Sequence, residues 1–219
     1  MYSFNTPNPI STVLDVPAAR VQLIAADRAD TVVEVLPADA AKGRDIKAAE
    51  QTTVEYADGV LRIVTPVKHE LLGSSGAVEV TVQLPSGSDV EGKAATAELR
   101  GVGRFGDVNH EAYGAIKIDE AATVRLSAQA GDVSVGRLAG SGEVSTMQGH
   151  ITVTEAVSGK VVLTTQAGNV SVGAAAGVSA SLEAGTTVGR IQNALKNTGA
   201  ADLEIHATTT QGDISARSL

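Results

Sequence analysis

The sequence predicts an all-β protein built largely as a β-solenoid or β-helix-like stack of rungs of ~19 residues. Two observations carry this prediction. Short runs rich in β-branched residues dominate the chain, which is typical of strands. The dozen residues QAGDVSVGRLAG, at 129–140, return almost unchanged as QAGNVSVGAAAG at 166–177, which indicates a structural unit written more than once.

The first part of the chain carries longer strand patterns. Apolar and polar residues alternate cleanly in AVEVTVQL, at 77–84, and the pattern stops at a proline. Asp58 and Gly59 separate two β-branched runs and predict a tight hairpin. The Ala- and charge-rich segment 38–51 predicts a short surface helix or a loop between strands.

From about residue 95 a period appears. A glycine, a polar residue and alternating β-branched residues recur at Gly131, Gly149 and Gly168, with spacings of 18 and 19 residues. Weaker copies begin at Gly106, Gly189 and Gly212. Stacked units bury the apolar columns that one unit leaves exposed, and a corner glycine permits a sharp turn. We therefore expect a single β-strand-repeat unit over 1–219, with 1–95 as an N-terminal β cap and 96–219 as the repeat solenoid.

The far end of the stack is predicted to lie at the C-terminus. The chain stops at Leu219, seven residues beyond the glycine of the last copy. Either the insertion 186–201 folds over this last rung or another subunit does. In the second case, a protein partner or a further copy of the chain would pair with an open edge. The partner-edge candidates are Gln211, Asp213, Ile214 and Leu219.

Composition excludes several classes of function. The 17 basic residues against 25 acidic ones give a net charge of −8, and no basic cluster suited to nucleic acid is present. Cysteine is absent, and aromatic residues make up 2% of the chain. No apolar run approaches the ~20 residues that span a bilayer, and the N-terminus is unlike a secretory signal. These patterns predict an acidic, soluble, cytoplasmic protein without membrane insertion, and no cofactor is expected.

Several segments, taken in order, carry a family resemblance. They are LDVPAARVQLIAADRADTVVEVLP at 14–37, AAEQTTVEYADGVLRIVTP at 48–66, VTVQLPSGSDV at 80–90 and the train of GDVSV-like units. In this combination the chain resembles the bacterial putative-adhesin family of β-strand-repeat proteins, the domain of unknown function numbered 4097. The resemblance implies a right-handed, mostly β solenoid, and it supplies no catalytic motif.

The residues that follow the corner glycines are the candidate site. If the rungs are in register they form a ladder, consisting of Asp107, Asp132, His150, Asn169 and Asp213. Asp and Asn at such positions are typical of turns, because their side chains bond to nearby backbone N–H groups. A ladder of carboxylates could also bind Ca²⁺ or hydrolyse glycosides. The GVGRFG segment at 101–106 matches a dinucleotide motif, but β rather than helical patterning follows it, which favours a corner of an early rung.

Two functions remain open from these patterns. The first is a non-enzymatic interaction or scaffold module, because no catalytic constellation is evident. The alternative is an enzyme of small-molecule tailoring or carbohydrate chemistry that uses an Asp/His ladder on one solenoid face, with Asp107, His110, Asp132 and His150 as its candidate residues.

Overall fold

The computed structural model describes residues 1–66, 76–94 and 98–219. It is all-β, as predicted. The chain divides into two compact units, Met1–Tyr113 (unit 1) and Gly114–Leu219 (unit 2). The change of pattern expected at 95 falls on 95–97, outside the described residues, and the division between the units comes after Tyr113.

Unit 1 contains strands that pair mainly in parallel. In chain order its elements are β1 (Tyr2–Asn5), β2 (Ser11–Asp15), β3 (Ala19–Ala26), β4 (Asp30–Pro37), α1 (Gly43–Gln51), β5 (Thr53–Ala57), β6 (Val60–Val64), β7 (Val78–Pro85), β8 (Asp89–Ala94) and β9 (Glu98–Ala112).

The strands of unit 1 form two rows. The first has the order β5-β6-β2-β8-β9, and the second has the order β1-β4-β7-β3-β9, so that β9 contributes to both. Strands β2, β3, β6, β7, β8 and β9 pair in parallel, whereas β1, β4 and β5 pair antiparallel at the outer end. Parallel pairing therefore begins well inside the segment expected to be a cap.

Two local predictions in unit 1 are confirmed. Asp58 and Gly59 have φ angles of 51° and 79°, the left-handed pair that a type I′ turn requires, and they join β5 to β6. The helix α1 begins at Gly43 within the Ala-rich segment. Its buried Asp45 accepts the N–H of Ala77 at 3.0 Å through Oδ1, which ties the helix to the chain just before β7.

Unit 2 is more regular. Its elements are β10 (Ile116–Ala130), β11 (Val133–Leu138), β12 (Gly142–Gln148), β13 (Ile151–Ala156), β14 (Gly159–Ala167), β15 (Val170–Ala174), β16 (Ala180–Val188), β17 (Ile191–Ala194), β18 (Leu203–Gln211) and β19 (Ile214–Ser218). All of the pairings described within unit 2 are parallel.

Two rows of strands run through unit 2, joined by glycine corners. One row has the order β10-β11-β13-β15-β19-β17, and the other has the order β10-β12-β14-β18-β16. We call the two strands that meet at a glycine corner a rung. The spatial order of the rungs is β10–β11, β12–β13, β14–β15, β18–β19 and β16–β17.

The repeat builds the core of unit 2 by placing like residues over like residues. Val133 pairs with Ile151, Ile151 with Val170 and Val170 with Ile214. All four are buried, whereas the residues that follow them on the strands face outward or are half-buried. Columns of β-branched side chains at the ~4.8 Å strand spacing exclude water without any aromatic residue.

The end of the stack differs from the expectation in one respect. The last strand in sequence, β19, lies between β15 and β17, and β18 lies between β14 and β16. The insertion that carries the end of β16 and the whole of β17 therefore covers the C-terminal rung, which is the first of the two alternatives. Within the described residues, β16 pairs only with β18 and β17 only with β19, so the rung β16–β17 is the terminal one.

Candidate functional site

The corners of unit 2 form a column of glycines. In spatial order they are Gly131, Gly149, Gly168, Gly212 and Gly189. From Gly149 onward, φ lies between 147° and 155°, and a Cβ would come within 1.9–2.2 Å of the carbonyl oxygen of the preceding glycine in the column. Only glycine allows neighbouring corners to approach this closely.

The residue after each glycine forms the predicted ladder, and its side chain bonds to the neighbouring rung. Asp132 Oδ1 accepts the backbone N–H of His150 at 2.7 Å, and His150 Nδ1 accepts that of Asn169 at 2.9 Å. Asn169 Oδ1 then accepts the N–H of Asp213 at 2.9 Å, and Asp213 Oδ1 accepts the N–H of Arg190 at 2.8 Å. Three residue types thus perform one task, which is to offer an acceptor to the next rung.

The ladder ends at Arg190. An arginine side chain has only donors and cannot accept an N–H. Its guanidinium Nη2 instead reaches back to Asp213 Oδ2 at 3.2 Å. The backbone N–H and the guanidinium of Arg190 together lower the pKa of the Asp213 carboxyl.

A row of threonines, which the sequence patterns above did not single out, supports the same corners. Thr146, Thr165, Thr209 and Thr186 each donate to the carbonyl oxygen of the corner glycine on the neighbouring rung, at 3.0–3.2 Å. The signal that could have revealed them is T-x-x-G, since each threonine stands three residues before a corner glycine.

The candidate catalytic residues lie in different surroundings. Asp132 and His150 meet on adjacent rungs, but the contact is from a backbone N–H to a carboxylate. In unit 1, Asp107 is exposed, and its N–H donates to Asp89 Oδ1 at 2.8 Å, a contact of the same kind.

The fourth candidate, His110, lies inside unit 1. Its side chain is fully buried, and neither ring nitrogen has a hydrogen-bond partner among the described residues. Burial lowers its pKa to about 4, against a smaller opposing effect of the Glu111 charge. The ring fills space left by Gly92, where a Cβ would lie 2.9 Å from His110 Nδ1. His110 is therefore a neutral core residue in this fold.

The partner-edge candidates lie mostly within the stack. Gln211 pairs with Ala167 and Val188, and Ile214 pairs with Val170 and Ile191. The ladder contacts of Asp213 are given above. Leu219 donates its N–H to Ala174 O at 3.0 Å and remains partly exposed. The edge at this end of unit 2 thus belongs to β16 and β17. The chain forms these two strands first and then returns to place β18 and β19 inside them.

No group of three or more His, Asp or Glu residues suited to a metal ion occurs among the described residues. No helix in this part of the chain is long and apolar enough to cross a membrane. A shallow groove of about 240 Å³ in unit 1 lies beside Arg20, whose Nη1 is paired with Glu79 Oε1 at 2.7 Å.

Comparison with known proteins shows the family. The model of the Toastrack DUF4097 family matches residues 11–218, and the chain belongs to this family. No curated protein matches the chain.

Two solved structures are similar to this chain along almost their whole length. One is a putative cell adhesion protein from Clostridium sporogenes, with 12% identity, coverage of 100% of this chain and 98% of that chain, and a TM-score of 0.44. The other is a putative adhesin from Bacteroides fragilis, with 10% identity, coverage of 98% and 95%, and a TM-score of 0.48.

Proposed function

We propose that this protein is a non-enzymatic interaction module, a rigid scaffold whose flat faces or terminal edge bind a protein partner or a further copy of the chain. In this proposal the scaffold is a right-handed β-solenoid with rungs of ~19 residues. One observation carries it. Each polar side chain of the ladder from Asp132 to Asp213 accepts a backbone N–H of the next rung. The side chains that resembled a catalytic row are thus engaged in holding the rungs in register.

The outward faces of unit 2 support the same function. Paired strands place Ser134, Thr152, Ser171 and Ser215 in one row, and Ser127, Ser145, Thr164 and Thr208 in another. Within the second row, hydroxyls contact one another, with Ser145 Oγ 3.3 Å from Ser127 Oγ and Thr208 Oγ1 3.2 Å from Thr164 Oγ1. A regular row of short polar groups is a surface that a protein can cover, since few flexible side chains need to be ordered on binding.

Native mass spectrometry of the protein, purified gently from its own host, tests this proposal. A discrete protein adduct or homo-oligomer is expected. A monomer that carries a small-molecule mass, and loses it when Asp132→Asn and His150→Asn are introduced, would overturn the proposal in favour of an enzyme. The cytoplasmic location expected from the sequence stays a prediction, which fractionation of the host tests.

A further inference from the structure

Each interior corner of unit 2 presents the same set of groups to the next rung. The N–H of the corner glycine donates to a carbonyl there, as Gly168 does to Gln211 O and Gly212 to Val188 O, both at 2.9 Å. The N–H two residues later does the same, as Ile214 does to Arg190 O at 2.9 Å. Between these two donors stands the side-chain acceptor of the ladder. Besides the glycine carbonyl that accepts a threonine hydroxyl, an interior corner therefore offers two backbone donors and one side-chain acceptor to the next rung.

The terminal corner departs from this set at one position. Gly189 and Ile191 stand where the two backbone donors stand in the other rungs, and no strand lies beyond them in the described part of the chain. Between them Arg190 replaces the acceptor with a cation whose side chain is 80% exposed. Val188 and Ile191, which flank it, are 63% and 45% exposed. The terminal corner thus lacks the side-chain acceptor of the interior corners and presents an exposed guanidinium in its place, with apolar neighbours.

This chemistry disfavours two occupants. A further rung of the interior kind would direct a backbone N–H at Arg190, so that donor would meet donor. Two copies paired through this corner about a two-fold axis would bring Arg190 against Arg190.

We propose that the terminal corner, Val188–Ile191, binds an extended acidic segment of a partner protein by strand addition. The inference rests on the proposed function and gives it a site and a partner chemistry. Carbonyl oxygens of the segment accept the N–H groups of Gly189 and Ile191, as the neighbouring rung does at interior corners. A carboxylate of the segment binds the guanidinium of Arg190, which has donors beyond the one that Asp213 engages. Apolar side chains of the segment cover Val188 and Ile191.

The direct test is a titration of the ¹⁵N-labelled full-length protein with a short capped peptide of alternating threonine and valine that carries aspartates at its centre. A peptide with lysines at those positions is the matched control. We expect the acidic peptide to shift the amide resonances of Gly189, Arg190 and Ile191, and the basic peptide to leave them unchanged. Arg190→Gln should weaken binding about tenfold, because the charge-assisted contact is lost.

Two further variants keep the result interpretable. Arg125→Gln removes an exposed arginine from a sheet face, where its Nε lies 3.5 Å from Glu143, and should leave peptide binding unchanged. Ile191→Pro removes one outward donor from an edge strand, where proline is tolerated. It should weaken binding both alone and when it is combined with Arg190→Gln, because the backbone donor acts independently of the charge.

Specific outcomes would overturn the inference. These are equal binding of both peptides, shifts away from the corner, or a concentration-dependent homodimer that Arg190→Gln strengthens. A host protein that still binds the Arg190→Gln variant at full strength would remove this inference and leave the proposed function intact. Peptide binding at the corner with neither a protein adduct nor a homo-oligomer from the host would contradict the proposed function and leave the binding chemistry of the corner intact.

Discussion

At the scale of single residues, the corner glycines of unit 2 combine an unusual backbone conformation with a crowded neighbour. Gly168 has a φ of 155°, and a Cβ on it would lie 1.9 Å from the carbonyl oxygen of Gly149. The repeated glycines were visible in the sequence as turn residues. The sequence did not show that they contact one another, because only stacking brings corners from different repeats together.

The first prediction follows from this crowding. Gly168→Ala should lower the free energy of unfolding by at least about 2 kcal/mol, since it adds backbone strain and forces two rungs apart. Urea unfolding followed by circular dichroism measures the change. The matched control is Gly185→Ala on β16, where a Cβ would meet no atom of the described residues within 4 Å, and its effect should stay within about 0.5 kcal/mol. Equal effects of the two substitutions would contradict the stacked-corner explanation.

A second residue-scale prediction concerns the buried His110. Its pKa in the folded protein is about 4, below the usual 6.5, so the folded protein keeps it neutral. As the pH falls below about 6.5, the unfolded chain binds a proton that the folded protein does not, and stability is lost until about pH 4. The full loss is about 3 kcal/mol.

Replacing His110 with leucine should remove this contribution. The variant should be at least as stable as the parent at pH 7, because it eliminates two buried nitrogens that have no hydrogen-bond partner among the described residues. The difference in stability should then grow in favour of His110→Leu as the pH falls towards 4. Urea unfolding at a series of pH values measures it, and parallel stability curves for the two proteins would show that His110 is not the titrating group.

At the scale of elements, local signals were sufficient for several predictions. The Asp58-Gly59 hairpin, the helix in the Ala-rich segment and the alternating strand β7 all follow from the residues inside those elements. The parallel strands of unit 1 could not be found in this way. Ser11 on β2 pairs with Val60 on one side and with Asp89 on the other, and these separations show no fixed period.

The ladder is an element-scale device, and the third prediction tests whether its members are interchangeable. His150→Ala removes the acceptor of the Asn169 N–H and should cost about 1 kcal/mol. His150→Asn should cost less than half as much, because Asn169 itself shows that an amide oxygen can serve at this position. Chemical denaturation of both variants gives the comparison. If asparagine were no better than alanine, the acceptor would not be what the position requires.

At the scale of the whole molecule, the order of the rungs in space departs from their order along the chain. The rung β18–β19, which comes last in sequence, is inserted before the rung β16–β17. The two longer spacings in the repeat, around Gly189 and Gly212, mark this place in the sequence. The spacings do not reveal which of the two rungs lies outside. The difference at the ladder position, Arg190 against Asp213, becomes informative only once the rung-to-rung acceptor is known.

The fourth prediction compares those two rungs at equivalent positions. Ile214 and Ile191 are register partners, but Ile214 is fully buried and Ile191 is 45% exposed. Ile214→Ala should therefore cost about 2–5 kcal/mol, whereas Ile191→Ala should cost less than about 1 kcal/mol. Urea unfolding of the two variants measures both values. Similar losses, or a larger loss at Ile191, would place the terminal edge elsewhere.

The sequence by itself determined that this protein is all-β, that its C-terminal part repeats a short unit, and that glycine followed by a polar residue forms the corners. Those properties are local or periodic, so they are written within each repeat. Only the tertiary structure decided the order of the rungs, the engagement of Asp132 and His150 in rung-to-rung hydrogen bonds, and the position of Arg190 at the terminal edge. These depend on which strands become neighbours. That choice is made by contacts between segments far apart in the chain. The similar patterns of the repeats do not specify which segments make those contacts.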